Sequence, residues 1–160
     1  MIDLPVSESI GKVRSNLSMN RCCISDLSAL TPETLGYADL VCASALIDLV
    51  GAPFLDRLAE ACAGAGAAVL FSLSVDGEWR FERAGAADVD PDDALVRAVF
   101  NAHQRRDKGV GAALGPDAPA YLARRLRRHG YRVRVAPSPW QLGMERPLDA
   151  ALAAALIDGW

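Results

Sequence analysis

The chain has 160 residues, which is enough for one domain with a sizeable core and too few for two full domains. Hydrophobic residues make up 51% of it, a share that excludes an intrinsically disordered protein. No apolar run approaches the roughly 20 residues that cross a bilayer, and the first residues lack the basic and apolar regions of a secretory signal. The sequence therefore predicts a single soluble domain with a cytoplasmic location and no membrane partner.

Positive charge is concentrated in one part of the chain. The net charge is −3, but residues 105–134 contain nine of the 17 Lys and Arg and only two of the 20 Asp and Glu. Such asymmetry can indicate an anionic partner, although cations are also favourable at a helix C-terminus. A nucleic acid is disfavoured as the partner because no stacking aromatic residues are interleaved with these arginines.

The cysteines predict no metal site. They lie in apolar surroundings, without a Cys-x-x-Cys pair or a nearby His, so neither zinc nor a disulfide framework is indicated. We expect four buried thiols: Cys22, Cys23, Cys42 and Cys62.

The most informative element in the first half is the strand at residues 39–43, an apolar run of the kind that a parallel sheet covers on both faces. Before it, residues 8–17 are a weak helix candidate, residues 21–24 suit a short buried strand, and residues 31–34 suit one helical turn. After it, Pro53 is typical of a first helical residue.

The helix that begins at Pro53 and the strand after it complete a βαβ unit. Apolar residues recur at helical spacing until Gly64 and Gly66 end the helix, and residues 67–74 then form a second buried strand. Two strands joined by a helix are expected to lie parallel, with a right-handed crossover.

The next segment combines an arm and a helix. Residues 78–82 alternate in the manner of an edge strand or an extended arm, and Asp90 and Pro91 are typical of the N-cap and first position of a helix that runs to about His103. Its inward stripe would consist of Leu95, Val96, Val99 and Phe100.

The C-terminal part predicts a helix, a hairpin and a last helix. Residues 117–129 form the helix, with arginines in its last turns. Residues 131–142 alternate around a Pro-Ser-Pro turn and predict an antiparallel hairpin, and residues 148–157 form the last helix. The predicted fold class is α/β, with a mostly parallel sheet and a C-terminal antiparallel hairpin strand.

Polar residues follow the central strand. Ligands of α/β proteins bind beyond the carboxyl ends of the strands, so Ser44, Ala45 and Asp48 mark the expected site. The alternative is that Ser44 merely ends the strand and that Asp48 is a solvated loop acid.

Two stretches resemble the C-terminal half of class I S-adenosylmethionine-dependent methyltransferases. One is the central strand, residues 39–48 (DLVCASALID), and the other is residues 100–109 (FNAHQRRDKG), followed by residues 113–117 and 130–133. Over residues 21–160 the chain is similar to a bacterial group of such enzymes, and the likeness implies a Rossmann-like fold, the cofactor S-adenosyl-L-methionine and methyl transfer to a small-molecule acceptor.

The resemblance also implies roles for individual residues. Asp26 and Leu27 would lie by the adenine, and Ser44, Ala45 and Leu46 would line the cofactor cleft. The insertion at residues 78–115 would cover the acceptor. Candidate acceptor contacts are Asp48, Asn101, Arg105, Arg106 and Lys108, and the candidate catalytic pair is His103 as general base with Asp107 as its orienting acid.

A purely structural role is the alternative for several of these residues. His103 can be a capping or exposed histidine, Arg105 and Arg106 can hold their loop through ion pairs, and Asp26 is locally a turn residue.

The chain departs from the methyltransferase pattern at its start. No Gly-rich loop precedes residue 21, so we expect the first strands of that fold to be missing and the central strand to have an open edge. The alternative function is accordingly a non-catalytic methyltransferase-like binding module that forms a homodimer through this sheet edge.

Overall fold

The computed structural model describes residues 30–72, 74–82, 90–107 and 111–159. The predicted elements at residues 8–17 and 21–24 lie outside these ranges, as do the predicted site residues Asp26, Leu27 and Lys108. The described helices are α1 (Pro32–Leu35), α2 (Ala52–Ala65), α3 (Pro91–Gln104), α4 (Ala118–Arg128) and α5 (Pro147–Asp158), and the strands are β1 (Leu40–Ser44) and β2 (Ala68–Ser72). Two 3₁₀ turns lie at Ile47–Leu49 and Gly115–Asp117.

The predicted βαβ unit is confirmed. β1 and β2 pair in parallel, from Leu40 opposite Ala68 to Ser44 opposite Ser72, and α2 connects them. Helix α2 ends at Gly66, whose φ of 67° lies in the left-handed region that favours glycine. The chain is thus an α/β protein whose described sheet has two parallel strands.

The core lies between α2, α4 and one face of this sheet. Its largest fully buried side chains are Leu55 and Cys62 from α2, Leu126 from α4 and Val69 from β2. Helices α2 and α4 are also joined by a polar contact, because Tyr121 Oη donates a 2.8 Å hydrogen bond to Asp56 Oδ1. These contacts fix α4 against the βαβ unit.

The opposite face of the sheet is open among the described residues. Side chains alternate along a strand, so Val69 points into the core while Leu40, Cys42 and Leu70 are exposed. The prediction of a buried thiol is therefore wrong for Cys42 and confirmed for Cys62. The outcome follows from strand geometry, because the described residues cover only one of the two sheet faces.

Residues 131–143 contain no strand, so the predicted C-terminal hairpin is not confirmed. The segment is held by other contacts: Tyr131 and Val133 pack against the core, and Arg127 donates a 3.2 Å hydrogen bond to the carbonyl oxygen of Val133. The alternation of Val and Arg at residues 131–135 thus reflects packing on one side, without pairing to a neighbouring strand. Residues 78–82 likewise contain no strand.

Helix α3 has its predicted bounds, but the side that was predicted to face the protein faces solvent. Asp90 caps it by accepting a hydrogen bond from the backbone N–H of Asp92. The predicted inward stripe is nevertheless wrong, because Leu95, Val96 and Val99 are exposed. The inward face carries polar side chains, which bind the arm before the helix.

Candidate functional site

The carboxyl ends of β1 and β2 lie side by side. Ser44 and Ser72 are opposite each other in the parallel register, and both are exposed. The backbone N–H of Ala45 donates a 3.1 Å hydrogen bond to the carbonyl oxygen of Ser72, which extends the strand pairing by one residue. This edge is where an open parallel sheet presents polar groups to a ligand.

Ala45 has a strained backbone. Its φ is 52°, and it is the only described non-glycine residue with a positive φ. An alanine in the left-handed region costs on the order of 1 kcal/mol, and such strain clusters at ligand sites because the surrounding structure must enforce it. Here it turns the chain sharply out of β1 and into the 3₁₀ turn at Ile47–Leu49.

Asp48 lies in that turn and is buried, with 6% of its surface exposed. Its Oδ1 has no hydrogen-bond partner within the described part of the chain. A solvated loop acid would be exposed, so that alternative is wrong for Asp48. A buried carboxylate oxygen without a partner is costly, and its presence just after a parallel strand is the strongest sign of a binding site among the described residues.

The segment after α3 closes one side of this turn. The backbone N–H of Leu114 donates a 2.9 Å hydrogen bond to the carbonyl oxygen of Val50. The backbones approach so closely that a Cβ on Gly51 would lie 2.7 Å from the carbonyl oxygen of Ala112. Only glycine fits at position 51, a requirement that the sequence does not reveal, since Gly51 otherwise reads as an ordinary helix N-cap.

Asn101 holds the arm that precedes α3. Its Nδ2 donates a 3.0 Å hydrogen bond to the carbonyl oxygen of Gly77, while its Oδ1 is buried without a partner in the described ranges. Arg97, one turn earlier, donates a 3.1 Å hydrogen bond to the carbonyl oxygen of Trp79. The described arm at residues 77–79 is therefore fixed to the polar face of α3.

Arg105 connects the end of α3 to the turn that precedes α4. Its Nε lies 2.8 Å from Asp117 Oδ2, and a second nitrogen donates a 3.1 Å hydrogen bond to the carbonyl oxygen of Asn101. The hydrogen bond to Arg105 lowers the pKa of Asp117, and the same bond raises the pKa of Arg105. The structure thus gives Arg105 the loop-holding role, and its partner Asp117 is a residue that sequence reasoning did not pair with it.

His103 and Asp107 lie at the end of α3. His103 is exposed and lines a shallow, open surface pocket of about 190 Å³ together with Val96, Val99 and Phe100. Asp107 Oδ1 accepts a 3.0 Å hydrogen bond from the backbone N–H of Gly111. Their pairing as base and orienting acid stays a prediction.

The predicted site residues therefore form two groups. The first follows β1 and contains Ser44, Ala45, Leu46 and Asp48, with Leu46 packed against the core. The second surrounds the end of α3 and contains Asn101, His103, Arg105, Arg106 and Asp107.

Comparison with known proteins found no match among family models, curated proteins or solved structures. Within the described ranges, no three His, Cys, Asp or Glu side chains are grouped so that they could hold a metal ion. None of the helices in the same ranges has the length and apolar character needed to traverse a bilayer.

Proposed function

We propose that this chain is the C-terminal part of a class I S-adenosylmethionine-dependent methyltransferase with a Rossmann-like fold, and that its cofactor lies at the carboxyl ends of β1 and β2. The observation that carries the proposal is the buried carboxylate of Asp48, whose Oδ1 has no partner among the described residues. It lies three residues after the strained Ala45, at the sheet edge where α/β proteins bind ligands.

The resemblance alone assigns Asp48 to the acceptor, but its burial beside Ala45 favours a contact with the cofactor, whose chemistry fits this carboxylate. S-adenosyl-L-methionine carries a sulfonium and an ammonium group, and a buried anion is stabilised by a cation that takes the place of water. Ser44, Ala45 and Leu46 would line the cleft beside it, and Asp26 and Leu27 would lie by the adenine.

The acceptor belongs on the other group of residues. Asn101 and Arg105 keep the end of α3 and the arm at 77–79 in fixed positions through their hydrogen bonds. The exposed Arg106, together with Lys108, would contact the acceptor. When bound, the cofactor supplies an electrophilic methyl group, and the protein has to align the acceptor and exclude water. His103 would take the proton that the acceptor loses, oriented by Asp107.

Calorimetric titration with S-adenosylhomocysteine tests the proposal. We expect micromolar binding by the unaltered chain, and binding at least about tenfold weaker by Asp48→Asn, because the amide removes the negative charge and keeps the shape. The matched control is Asp39→Asn, which removes a carboxylate at the opposite, amino end of β1.

Two outcomes would overturn the proposal. No binding up to millimolar S-adenosylhomocysteine excludes the cofactor for this chain. Equal affinities for Asp48→Asn and Asp39→Asn would remove Asp48 from the site, because a general effect of charge would then explain both.

The open sheet edge favours a second candidate, a non-catalytic methyltransferase-like module that forms a homodimer through β1. In the described sheet β1 has a partner strand on one side only, and Leu40 on this strand is 53% exposed. An unpaired strand edge is a template for pairing with another chain. This candidate predicts a stable dimer that does not bind S-adenosylhomocysteine.

A further inference from the structure

Helix α3 exposes its apolar side to solvent and faces the protein with its polar side. Leu95 and Val99 are 65% and 62% exposed. Arg97 and Asn101 lie on the opposite side, where they donate hydrogen bonds to Trp79 and Gly77. None of the 14 residues of α3 is buried, so the polar contacts fix the orientation of the helix and leave its apolar side without a partner in the described structure.

Charged residues stand at the two ends of this apolar side. At about 100° per residue, positions seven apart lie within about 20° of each other on a helix. Asp92 lies seven positions before Val99 and shares its side, and His103, four positions after Val99, lies within about 40° of that side. Arg106 lies past the end of α3, in a turn closed by an i to i+3 hydrogen bond to His103, and side chains three apart in such a turn are nearly eclipsed, so Arg106 continues the side of His103. Asp92 is in the first turn of α3, and Arg106 is in the turn that ends it, where its N–H bonds to the carbonyl oxygen of His103 at 3.0 Å. Both side chains are exposed.

This arrangement is complementary to itself. We propose that the apolar side of α3 is an interaction surface for a second copy of the same chain, and that the two α3 helices pack antiparallel around a two-fold axis at Val99. An antiparallel pair centred on Val99 places Asp92 of each copy opposite Arg106 of the other. Each of the two pairs therefore joins a negative side chain to a positive one. It also places Leu95 opposite His103, and Val99 opposite itself.

The antiparallel direction follows from the charges. A parallel pair would place Asp92 against Asp92 and Arg106 against Arg106, and like charges in contact are unfavourable. The antiparallel pair also opposes the two helix dipoles. Each α3 helix is about 21 Å long, so the contact between two of them buries little surface for a protein interface. The dimer should therefore dissociate at low micromolar protein concentration.

Sedimentation velocity over about 1 to 100 micromolar protein tests the interface. We expect the unaltered chain to shift from monomer to dimer in this range. Val99→Arg should weaken association by about 100-fold, because it brings two positive charges together on the two-fold axis. The matched control is Leu40→Arg, which places the same charge on the exposed face of the sheet, and it should leave the dimer unchanged.

Charge exchange tests the register. Asp92→Lys alone and Arg106→Glu alone each place like charges opposite each other twice, so each variant should associate more weakly with itself. A mixture of the two variants should dimerise, because Lys then faces Glu and Arg faces Asp in the same complex. Circular dichroism of each variant confirms that α3 and the rest of the fold persist.

Several results would refute the inference. A chain that stays monomeric over the whole range has no such interface. Loss of the dimer in Leu40→Arg, with Val99→Arg unaffected, would move the interface to the sheet. A mixture of Asp92→Lys and Arg106→Glu that associates no better than either variant alone would exclude the antiparallel register.

Discussion

The Tyr131 hydroxyl donates a hydrogen bond of 2.6 Å to the carbonyl oxygen of Ala67, immediately before β2. Tyr131 is the first residue after the Gly130 turn that ends α4, and Ala67 is buried. A buried carbonyl that loses its partner costs free energy, so this single bond fastens the irregular segment after α4 to the βαβ unit.

Replacement of Tyr131 by Phe should lower the free energy of unfolding by about 1–2 kcal/mol, since the ring stays and only the hydroxyl is lost. Urea denaturation measures the change. Tyr37→Phe is the matched control, because Tyr37 is exposed and should change stability by less than about 0.5 kcal/mol. Equal stabilities for the two variants would show that the bond to Ala67 does not contribute.

The buried thiol of Cys62 makes stability depend on pH in the alkaline range. Burial raises its pKa from 9.0 to about 11. The folded state therefore keeps the proton that the unfolded chain releases, so the contribution is complete below pH 9 and is lost as the pH rises to 11. In Cys62→Ala, the decrease in the free energy of unfolding between pH 9 and pH 11 should therefore be smaller by about 2 kcal/mol.

Measurements at pH 7 and at successive pH values up to 11 separate this effect from packing. At pH 7, Cys62→Ala should cost about 1 kcal/mol through the lost side-chain volume. Tyr131 still titrates in the variant, because burial also raises its pKa above 10.0, so some alkaline loss remains. An unaltered slope in Cys62→Ala would contradict the assignment.

Asp56 couples α2 to α4 through two partners. Its Oδ1 accepts a 2.8 Å hydrogen bond from Tyr121 and lies 2.7 Å from Arg125 Nε. Asp56→Ala should cost about 1–2 kcal/mol, whereas Glu60→Ala, on the exposed side of the same helix, should cost less than about 0.5 kcal/mol. A double-mutant cycle with Tyr121→Phe should give a coupling of about 0.5–1 kcal/mol, and additive losses would show that the contact is without effect.

The sequence predicted the elements whose determinants are local. Pro53 near the start of α2, Gly66 after it and the Asp90–Pro91 start of α3 are signals within one turn of the chain, and the structure has each of them. The apolar periodicity of α2 also predicted its buried side, because this helix packs against a sheet that belongs to the same unit.

The orientation of α3 could not be predicted in this way. Its apolar side is outward because Asn101 and Arg97 have backbone partners in the arm at Gly77 and Trp79, about 20 residues away in sequence. Periodicity identifies the two sides of a helix and does not say which side faces the protein. The burial of Asp48 is a similar case, because a polar residue after a strand gives no local sign that later segments will cover it.

The buried carboxylate of Asp48 should make the ligand-free protein less stable than a neutral side chain at this position would. Because Oδ1 is buried without a partner among the described residues, Asp48→Asn should raise the free energy of unfolding by about 1 kcal/mol, since the amide avoids burying a charge. Urea denaturation without ligand measures this, with Asp39→Asn as the control that should change little. A loss of stability in Asp48→Asn would mean that the carboxylate is held by a contact within the protein, and Asp48 would then be a structural residue instead of a binding one.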